Sequence, residues 1–361
     1  MRKIKTILLA TAFLAVLFSC SKESNEMSQS TTYESSVSFN VNPDFTIADS
    51  NYNSTRASGD AQGNQTSDNN ISTLEFFIFN ADGVSKGVLD AYHKFTTEDG
   101  ISKLEVKATT GAKNIYVVAN SHREDWKGVV TLDEFKRQVS SLKNENNKNF
   151  VMVGSTDATL QATTSITLEI SRLVARVELV SLKTTFTGTP YEGMSLSNVK
   201  LYLTNVHSSK CFFNGEISTP VILNSKALNE ENVNSCAMPG ALYDAISKAI
   251  GNEVYNTPHY FYTYENLMDT ESVSNRFTRL VIQADLDGHT YYYPVNINQE
   301  GYGYVASNGH KGIKRNTSYK INVNILRPGS TNPDEPLQHG ALSCSVNVVN
   351  WESVETANTE F

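Results

Sequence analysis

The clearest pattern in the sequence is an alternation of apolar and polar residues, and it occurs near both ends of the chain. A period of two sends one set of side chains to a core and the other to water, so it predicts a half-buried β-strand. In both stretches the polar positions are serine and asparagine, so the two strands could fill the same place in a sheet. The apolar positions are Val37, Phe39 and Val41 in the first stretch and Leu342, Cys344, Val346 and Val348 in the second.

The C-terminal stretch has no evident strand partner of its own. Its phase breaks at Val348-Val349 and resumes at Trp351, which predicts a β-bulge. A segment with three prolines and a glycine, Pro328 to Pro336, precedes it, and regular strand pairing should stop there. We therefore predict a linker over residues 328–340 and a separate strand segment over residues 341–361.

Between these ends, short β-patterned runs and turn residues predict a mostly β fold with two domains, over residues 57–171 and 172–327. Helices are predicted at two places only. The first begins at the capping box Thr131 to Glu134, and the second covers Gly240 to Ile250, where apolar residues recur at helical spacing.

The N-terminus has the features of a secretory signal. The apolar run Ile7 to Phe18 follows basic residues and is too short to span a membrane. It leads into Leu17-Phe18-Ser19-Cys20, which is similar to a lipobox, with Cys20 as the lipidated first residue of the exported protein. The alternative is an ordinary signal peptide that contains a cysteine. We assign residues 1–19 to the signal.

Residues 46–70 are rich in Asn, Ser, Asp and Gly and have little to bury, which predicts an exposed loop. Arg56 is the only basic residue in this loop, so a trypsin-like protease would cut between Arg56 and Ala57. Residues 20–56 would then be a lipidated propeptide that carries the first strand. The alternative is an ordinary solvated arginine.

Charge and motif content narrow the functional classes. The net charge of -8, with no basic run after residue 5, argues against a nucleic-acid partner. The histidines are scattered and no catalytic or metal motif is complete, so we predict no enzyme, no metal and no cofactor. Cys211 and Cys236 could pair in an exported protein or remain separate thiols. The tyrosines around 260–264 and 291–293 could form a sugar platform, although tyrosine is also a favoured strand residue.

Several short stretches, taken in order over nearly the whole chain, resemble the fimbrillin family, the type V pilin subunits of Bacteroidota. Ser21-Lys22-Glu23 also resembles the short acidic tag that sends lipoproteins of this group to the outer face of the outer membrane. The stretches that carry the family resemblance are the lipobox at Cys20, Phe77-Ile78-Phe79-Asn80, Val117-Val118-Ala119-Asn120, Arg172-Leu173-Val174-Ala175-Arg176-Val177, Tyr262-Thr263-Tyr264-Glu265-Asn266, Arg315-Asn316-Thr317-Ser318-Tyr319 and Val349-Asn350-Trp351.

The resemblance implies two transthyretin-like β-sandwich domains in tandem with a C-terminal donor strand. It implies export as a lipoprotein held in the outer membrane by its lipid, then cleavage by an extracellular arginine-specific protease. Cleavage would remove the strand that contains Val37, Phe39 and Val41. The C-terminal strand of a neighbouring subunit, with Trp351 at its end, would enter the vacated groove and build a surface fimbrium for adhesion.

Three roles remain open from the sequence. The presence of both Arg56 and a C-terminal strand favours a stalk subunit that binds other pilin subunits, including tip and anchor subunits. A tip or anchor subunit shares the fold. A monomeric surface lipoprotein that binds glycans would instead keep its lipid and its first strand.

Overall fold

Strands dominate this computed structural model, which describes residues 34–43, 70–96, 104–335 and 342–350. The prediction of a mostly β fold is confirmed. Within the described ranges no helix is long and apolar enough to cross a membrane. The N-terminal half has strands β1 (Glu34–Pro43), β2 (Thr73–Asn80), β3 (Leu89–Thr96), β4 (Leu104–Thr109), β5 (Gly111–Ala119), β6 (Val139–Ser141), β7 (Met152–Leu160) and β8 (Thr163–Arg172), with helix α1 (Leu132–Lys136).

The remaining elements form the C-terminal half. They are β9 (Val174–Thr184), β10 (Ser197–Thr204), β11 (Val206–His207), β12 (Ser209–Cys211), β13 (Ile222–Leu223), α2 (Glu230–Cys236), β14 (Tyr243–Ile246), β15 (His259–Tyr264), β16 (Asn266–Leu267), β17 (Arg279–Leu286), β18 (His289–Asn296), a 3-10 turn (Ala306–Asn308), β19 (Gly312–Ile313), β20 (Thr317–Ile325) and β21 (Leu342–Asn350).

The N-terminal half is one sheet folded over into two layers. Its strand order is β3-β2-β5-β7-β8-β1-β4. Strands β7 and β8 pair only at Met152–Arg172 and Val153–Ser171, so they diverge beyond that point. The layers β3-β2-β5-β7 and β8-β1-β4 therefore face each other over a common core. That core contains, among others, Leu74, Phe76, Ile78, Leu104, Val106, Val117, Ile166 and Leu168.

The C-terminal half is built from two four-stranded sheets, β14-β10-β17-β18 and β15-β9-β20-β21. Asp287 and Gly288 make the tight turn between β17 and β18 with φ values of 50° and 76°, as a two-residue hairpin turn requires. The core of this half continues into the N-terminal half, where Phe135 of α1 packs on Phe77 of β2 with ring centroids 4.4 Å apart. The two sandwiches thus share apolar contacts.

One helix prediction is confirmed and the other is wrong. At the start of α1 the Thr131 hydroxyl accepts from the Glu134 amide at 3.3 Å, and the Glu134 carboxylate accepts from the Thr131 amide at 2.9 Å. Within the predicted helix at 240–250, however, residues 243–246 form β14 and pair antiparallel with β10. A short apolar run suits either period, and the open edge of β10 decides in favour of a strand.

A buried carboxylic acid joins the two halves. Glu145 accepts hydrogen bonds from the Tyr264 hydroxyl at 2.9 Å, the Ser140 hydroxyl at 3.3 Å and the Val151 amide at 3.1 Å. Tyr264 comes from the C-terminal half and the other groups from the N-terminal half. Burial raises the pKa of Glu145 to about 7, against an ordinary value of 4.5.

The raised pKa of Glu145 should make the free energy of unfolding depend on pH. Because the folded pKa of Glu145 lies above the unfolded value, its contribution is full below pH 4.5 and is lost as pH rises through about 7. The loss amounts to roughly 3 kcal/mol of the free energy of unfolding. Glu145→Gln mimics the protonated acid, so it should remove this loss, measured by urea unfolding at pH 5 and pH 8.

The same substitution at Glu169, which is exposed on β8, controls for the loss of a negative charge. If Glu145→Gln lowers the free energy of unfolding equally at both pH values, the buried acid does not titrate as described.

Candidate functional site

Strand β1 lies inside the folded N-terminal sheet with a neighbour on each side. It runs antiparallel to β4, with Val37 opposite Val106, and parallel to β8, with Val37 opposite Thr164. Backbone pairing with β8 continues past Val41, which lies opposite Leu168, as far as Pro43 opposite Ile170. The predicted strand around residues 37–41 is confirmed. Its position between β4 and β8 was not predicted from the sequence.

The inward side chains of β1 are part of the core. Val37 is fully buried and Phe39 is 5% exposed. The Phe39 ring packs on Phe76 with centroids 4.4 Å apart. Ser35 is also buried, and its hydroxyl donates to the carbonyl of Gln161. In contrast, Ser38 is exposed, as the alternation predicted.

Removal of β1 would therefore open a groove between β4 and β8. In the sheet order β4 is an edge strand whose ladder partner, within the described residues, is β1. Without β1, the amides and carbonyls of both neighbours would lose their partners, and the apolar floor with Phe76, Leu104 and Ile166 would meet water. Sequence analysis recognised these strands but did not assign them to a groove.

Strand β21 occupies the edge of a different sheet in the same chain. It pairs antiparallel with β20 over nine residues, from Thr317–Asn350 to Ile325–Leu342. The prediction that this segment lacks a partner in its own domain is therefore wrong for the single chain. The predicted β-bulge at Val348-Val349 is also wrong, because the pairing has no register shift.

The side chains of β21 make modest contacts with the C-terminal core. Val346 is 7% exposed, whereas Cys344 and Val348 are half-buried against the same core. Burial of the sulfur raises the pKa of the Cys344 thiol to about 12. Gly303 lies directly on Val346, since a Cβ placed there would be 2.2 Å from the Val346 carbonyl oxygen. The core of this half therefore uses β21, although the sequence predicted a separate strand segment over residues 341–361.

The chain before β21 is anchored rather than free over its described part. Ser330 and Tyr292 exchange two backbone hydrogen bonds of 3.0 and 2.8 Å at the edge of β18. Asp334 accepts from the buried guanidinium of Arg279 at 3.2 Å and also pairs with Arg276. Part of the predicted linker over 328–340 is thus held against the C-terminal half as far as residue 334.

The structure does not bring all the sequence-predicted residues together. Strands β1 and β21 belong to different sheets of one molecule. Cys20, Arg56, Ala57 and Trp351 lie outside the described residues.

Other chemistry is sparse among the described residues. They contain no cluster of three or more His, Cys, Asp or Glu side chains able to hold a metal. Cys211, Cys236 and Cys344 are free thiols. Of the tyrosines considered as a sugar platform, Tyr262, Tyr264 and Tyr293 are buried in the core.

Among the described residues, one hydrogen-bonded Tyr-His-Asp group resembles a catalytic relay, and it links the two sheets of the C-terminal half. His259 Nδ1 lies 2.7 Å from an Asp244 carboxylate oxygen, and its Nε2 lies 2.9 Å from the Tyr255 hydroxyl. Both ring nitrogens therefore have a hydrogen-bond partner. Because the imidazole is also fully buried, a substrate cannot reach it. This arrangement ties β14 to β15, and sequence analysis missed it because its members are spread over 244–259.

Two family models match overlapping parts of the chain. The model described as major fimbrial subunit protein (FimA) matches residues 35–204. The model described as fimbrium tip subunit Fim1C-like, C-terminal domain, matches residues 173–351. Together they extend from β1 to the end of β21.

Individual relatives agree with these models. The chain is 26% identical to the major fimbrium subunit FimA type-4 of Porphyromonas gingivalis, over 99% of this chain and 100% of that protein. It is 24% identical to the major fimbrium subunit FimC of P. gingivalis, over 72% of this chain and 54% of FimC. The crystal structure of a fimbrilin (FimA) from P. gingivalis W83 has the same fold, with a TM-score of 0.59 at 21% identity over 89% of this chain and 99% of that one. The chain belongs to the fimbrillin family of Bacteroidota fimbrial subunits.

Proposed function

We propose that this protein is a stalk subunit of a surface fimbrium that polymerises by exchange of strands between copies of the chain. Strand β1 is a removable plug, and β21 of another copy takes its place. The role is structural, with no catalytic activity and no cofactor. As a fimbrial subunit it would act at the cell surface in adhesion.

The observation that carries the proposal is the difference in neighbours between the two strand positions. In its own chain, β21 lies at the edge of its sheet and, among the described strands, pairs only with β20. In the groove left by β1 it would pair with both β4 and β8. Each additional hydrogen bond contributes about 0.5–1.5 kcal/mol, and each fully buried apolar side chain about 1.5–3 kcal/mol. Transfer of β21 into an open groove of another copy is therefore favourable.

The groove has to be opened first, because β1 fills it in the uncleaved chain. We propose that the chain is exported as a lipoprotein through Cys20 and stays in the outer membrane until an extracellular arginine-specific protease cuts between Arg56 and Ala57. The polar composition of residues 46–70 and the single arginine within them support this site. After the cut, β1 is no longer covalently joined to the sandwich.

The N-terminal residue of the surface protein tests this maturation. A mature chain that begins at Ala57 is expected, and brief trypsin treatment of the folded precursor should produce the same end. Arg56→Ala should leave a chain that begins at acylated Cys20, with few or no fibres in electron micrographs. If Arg56→Ala fibres form normally, the cleavage site is wrong.

A tip subunit is the second candidate, because the C-terminal half matches the model of a fimbrium tip subunit. A tip subunit would receive a strand without donating one. It would then be found once per fibre, at the end, whereas a stalk subunit would be labelled along the whole length by an antibody. A monomeric glycan-binding lipoprotein would retain Cys20 and β1 at the surface.

A further inference from the structure

Strands β1 and β21 share more than an alternation, and the shared residues define a register. Aligned without gaps, Ser36, Ser38 and Asn40 of β1 coincide with Ser343, Ser345 and Asn347 of β21. Of these residues in β1, Ser38 is exposed and Ser36 is partly exposed. The residues between and after the identical ones are apolar in both strands, as the pairs Val37 and Cys344, Phe39 and Val346, and Val41 and Val348.

We propose that β21 of one chain enters the groove of another in the same register as β1, with Cys344 in the place of Val37. This inference rests on the proposed function and adds to it the position of each donor residue. Val346 then takes the place of Phe39 over Phe76, and Val348 takes the place of Val41. The donor runs antiparallel to β4 and parallel to β8, as β1 does.

The outward contacts of β1 favour this register over a shift of two residues. The Ser36 hydroxyl contacts the Glu105 carboxylate, and the Ser38 hydroxyl donates to the carbonyl of Thr164 at 3.4 Å. Ser343 and Ser345 would reproduce both hydroxyls. A shift of two in one direction places Asn347 at the position of Ser38, and a shift of two in the other direction places Ala341 at the position of Ser36, so each loses one of the two hydroxyls. A shift of one residue would turn the serines inward and is excluded by the buried floor.

The inward positions keep a similar apolar content in this register. Phe39 is replaced by the smaller Val346, which leaves room beside Phe76, but buried Ser35 is replaced by the larger Leu342. Val37 and Cys344 differ little in size. The donor therefore redistributes volume along the groove rather than losing it, and the space beside Phe76 is where its fit differs most from that of β1.

Cys344 makes the register measurable, because in its own sheet it lies opposite Val323. In the proposed register it lies opposite Val106 of another chain. A shift of two in one direction would bring it opposite Ala108, and in the other direction opposite Leu104. Directly opposite residues have Cβ atoms about 4.5–5.5 Å apart and diagonal ones about 7–8 Å. A disulfide requires Cα atoms closer than about 7 Å, so it discriminates among these positions.

The experiment is oxidation of assembled fibres of full-length chains that carry Val106→Cys, Ala108→Cys or Leu104→Cys. Val106→Cys is expected to give a ladder of disulfide-linked multimers on non-reducing gels, with at least tenfold less product at the other two positions. Adding Cys344→Ser should abolish the ladder, which assigns it to Cys344 rather than to Cys211 or Cys236.

Electron microscopy of the same samples distinguishes a failure of the proposed function from a failure of the proposed register. Absence of fibres in wild-type samples overturns the proposed function itself. Fibres whose ladder forms at Ala108→Cys or Leu104→Cys overturn the register alone, as do Val106→Cys fibres without a ladder. If Val106→Cys fails to fold, Thr164→Cys on β8 lies opposite the same donor position and gives the same expectation.

Discussion

A chain that ends at Glu335 should form no fibres, although both of its sandwiches stay folded. The deletion removes β21 and leaves β20 paired with β9 on its other side. Among the side chains of β21 that the structure describes, the lost burial is one nearly complete side chain, Val346, and two half-buried ones, Cys344 and Val348. At about 1.5–3 kcal/mol for each complete side chain, the free energy of unfolding should fall by roughly 3–6 kcal/mol, against a typical total of about 5–15 kcal/mol.

The measurements are fibre length by electron microscopy after cleavage at Arg56, and urea unfolding of the truncated chain. A synthetic peptide of residues 342–350 is the matched control, because it should fill open grooves and stop wild-type chains from growing. Fibres of normal length from the truncated chain would show that the C-terminal strand is not the donor. A truncated chain that cannot fold would show instead that β21 is an integral strand of its own sandwich.

A charge at Val346 should abolish assembly, whereas the same charge one residue later should not. Val346→Asp places a carboxylate on the inward face of β21, where burial of an unpaired charge is unfavourable both in its own sheet and in the groove. Asn347→Asp adds the same charge on the exposed face. Fibre yield should fall by at least a hundredfold for Val346→Asp and by less than threefold for Asn347→Asp.

Substitution of Val346 should also affect the thermal stability of the monomer. Because Val346 is 7% exposed in its own sheet, Val346→Asp should lower the melting temperature of the uncleaved chain by several degrees. The side chain of Val37 offers a comparison, since it is fully buried between two neighbouring strands. Val37→Asp should lower the melting temperature of the uncleaved chain further than Val346→Asp. Equal fibre yield for Val346→Asp and Asn347→Asp would contradict the inward orientation of Val346 in the fibre.

The two strand positions differ in a way that suits an assembly started by cleavage. β1 has two neighbours and contributes Val37 and Phe39 to the core, so it holds the groove closed until the chain is cut. Among the described strands β21 has one neighbour, and it contributes less to its core than β1 does, so its release costs less. The anchored segment up to Asp334 would stay with its own sandwich while β21 leaves, because Arg279 is buried and holds that carboxylate.

The sequence by itself determined the strand character of both ends and the inward set of each strand. Side-chain alternation is a local property, so Val37, Phe39 and Val346 could be assigned to a buried face without knowledge of their neighbours. The capping box at Thr131 was equally local, since both of its hydrogen bonds lie within four residues. The family resemblance came from short motifs whose order along the chain needs no structure.

Only the tertiary structure decided which strands are neighbours. The pairing of β1 with β4 and β8, and of β21 with β20, joins segments far apart in sequence, and an alternating pattern fits many partners equally well. Residues 243–246 became a strand because β10 offered an open edge, although their local pattern also suited a helix. Glu145 acquired its raised pKa in the same way, from burial between the two halves, which outweighs the lowering effect of the hydrogen bond from Tyr264. Burial and strand partnership arise from contacts that local periodicity does not specify.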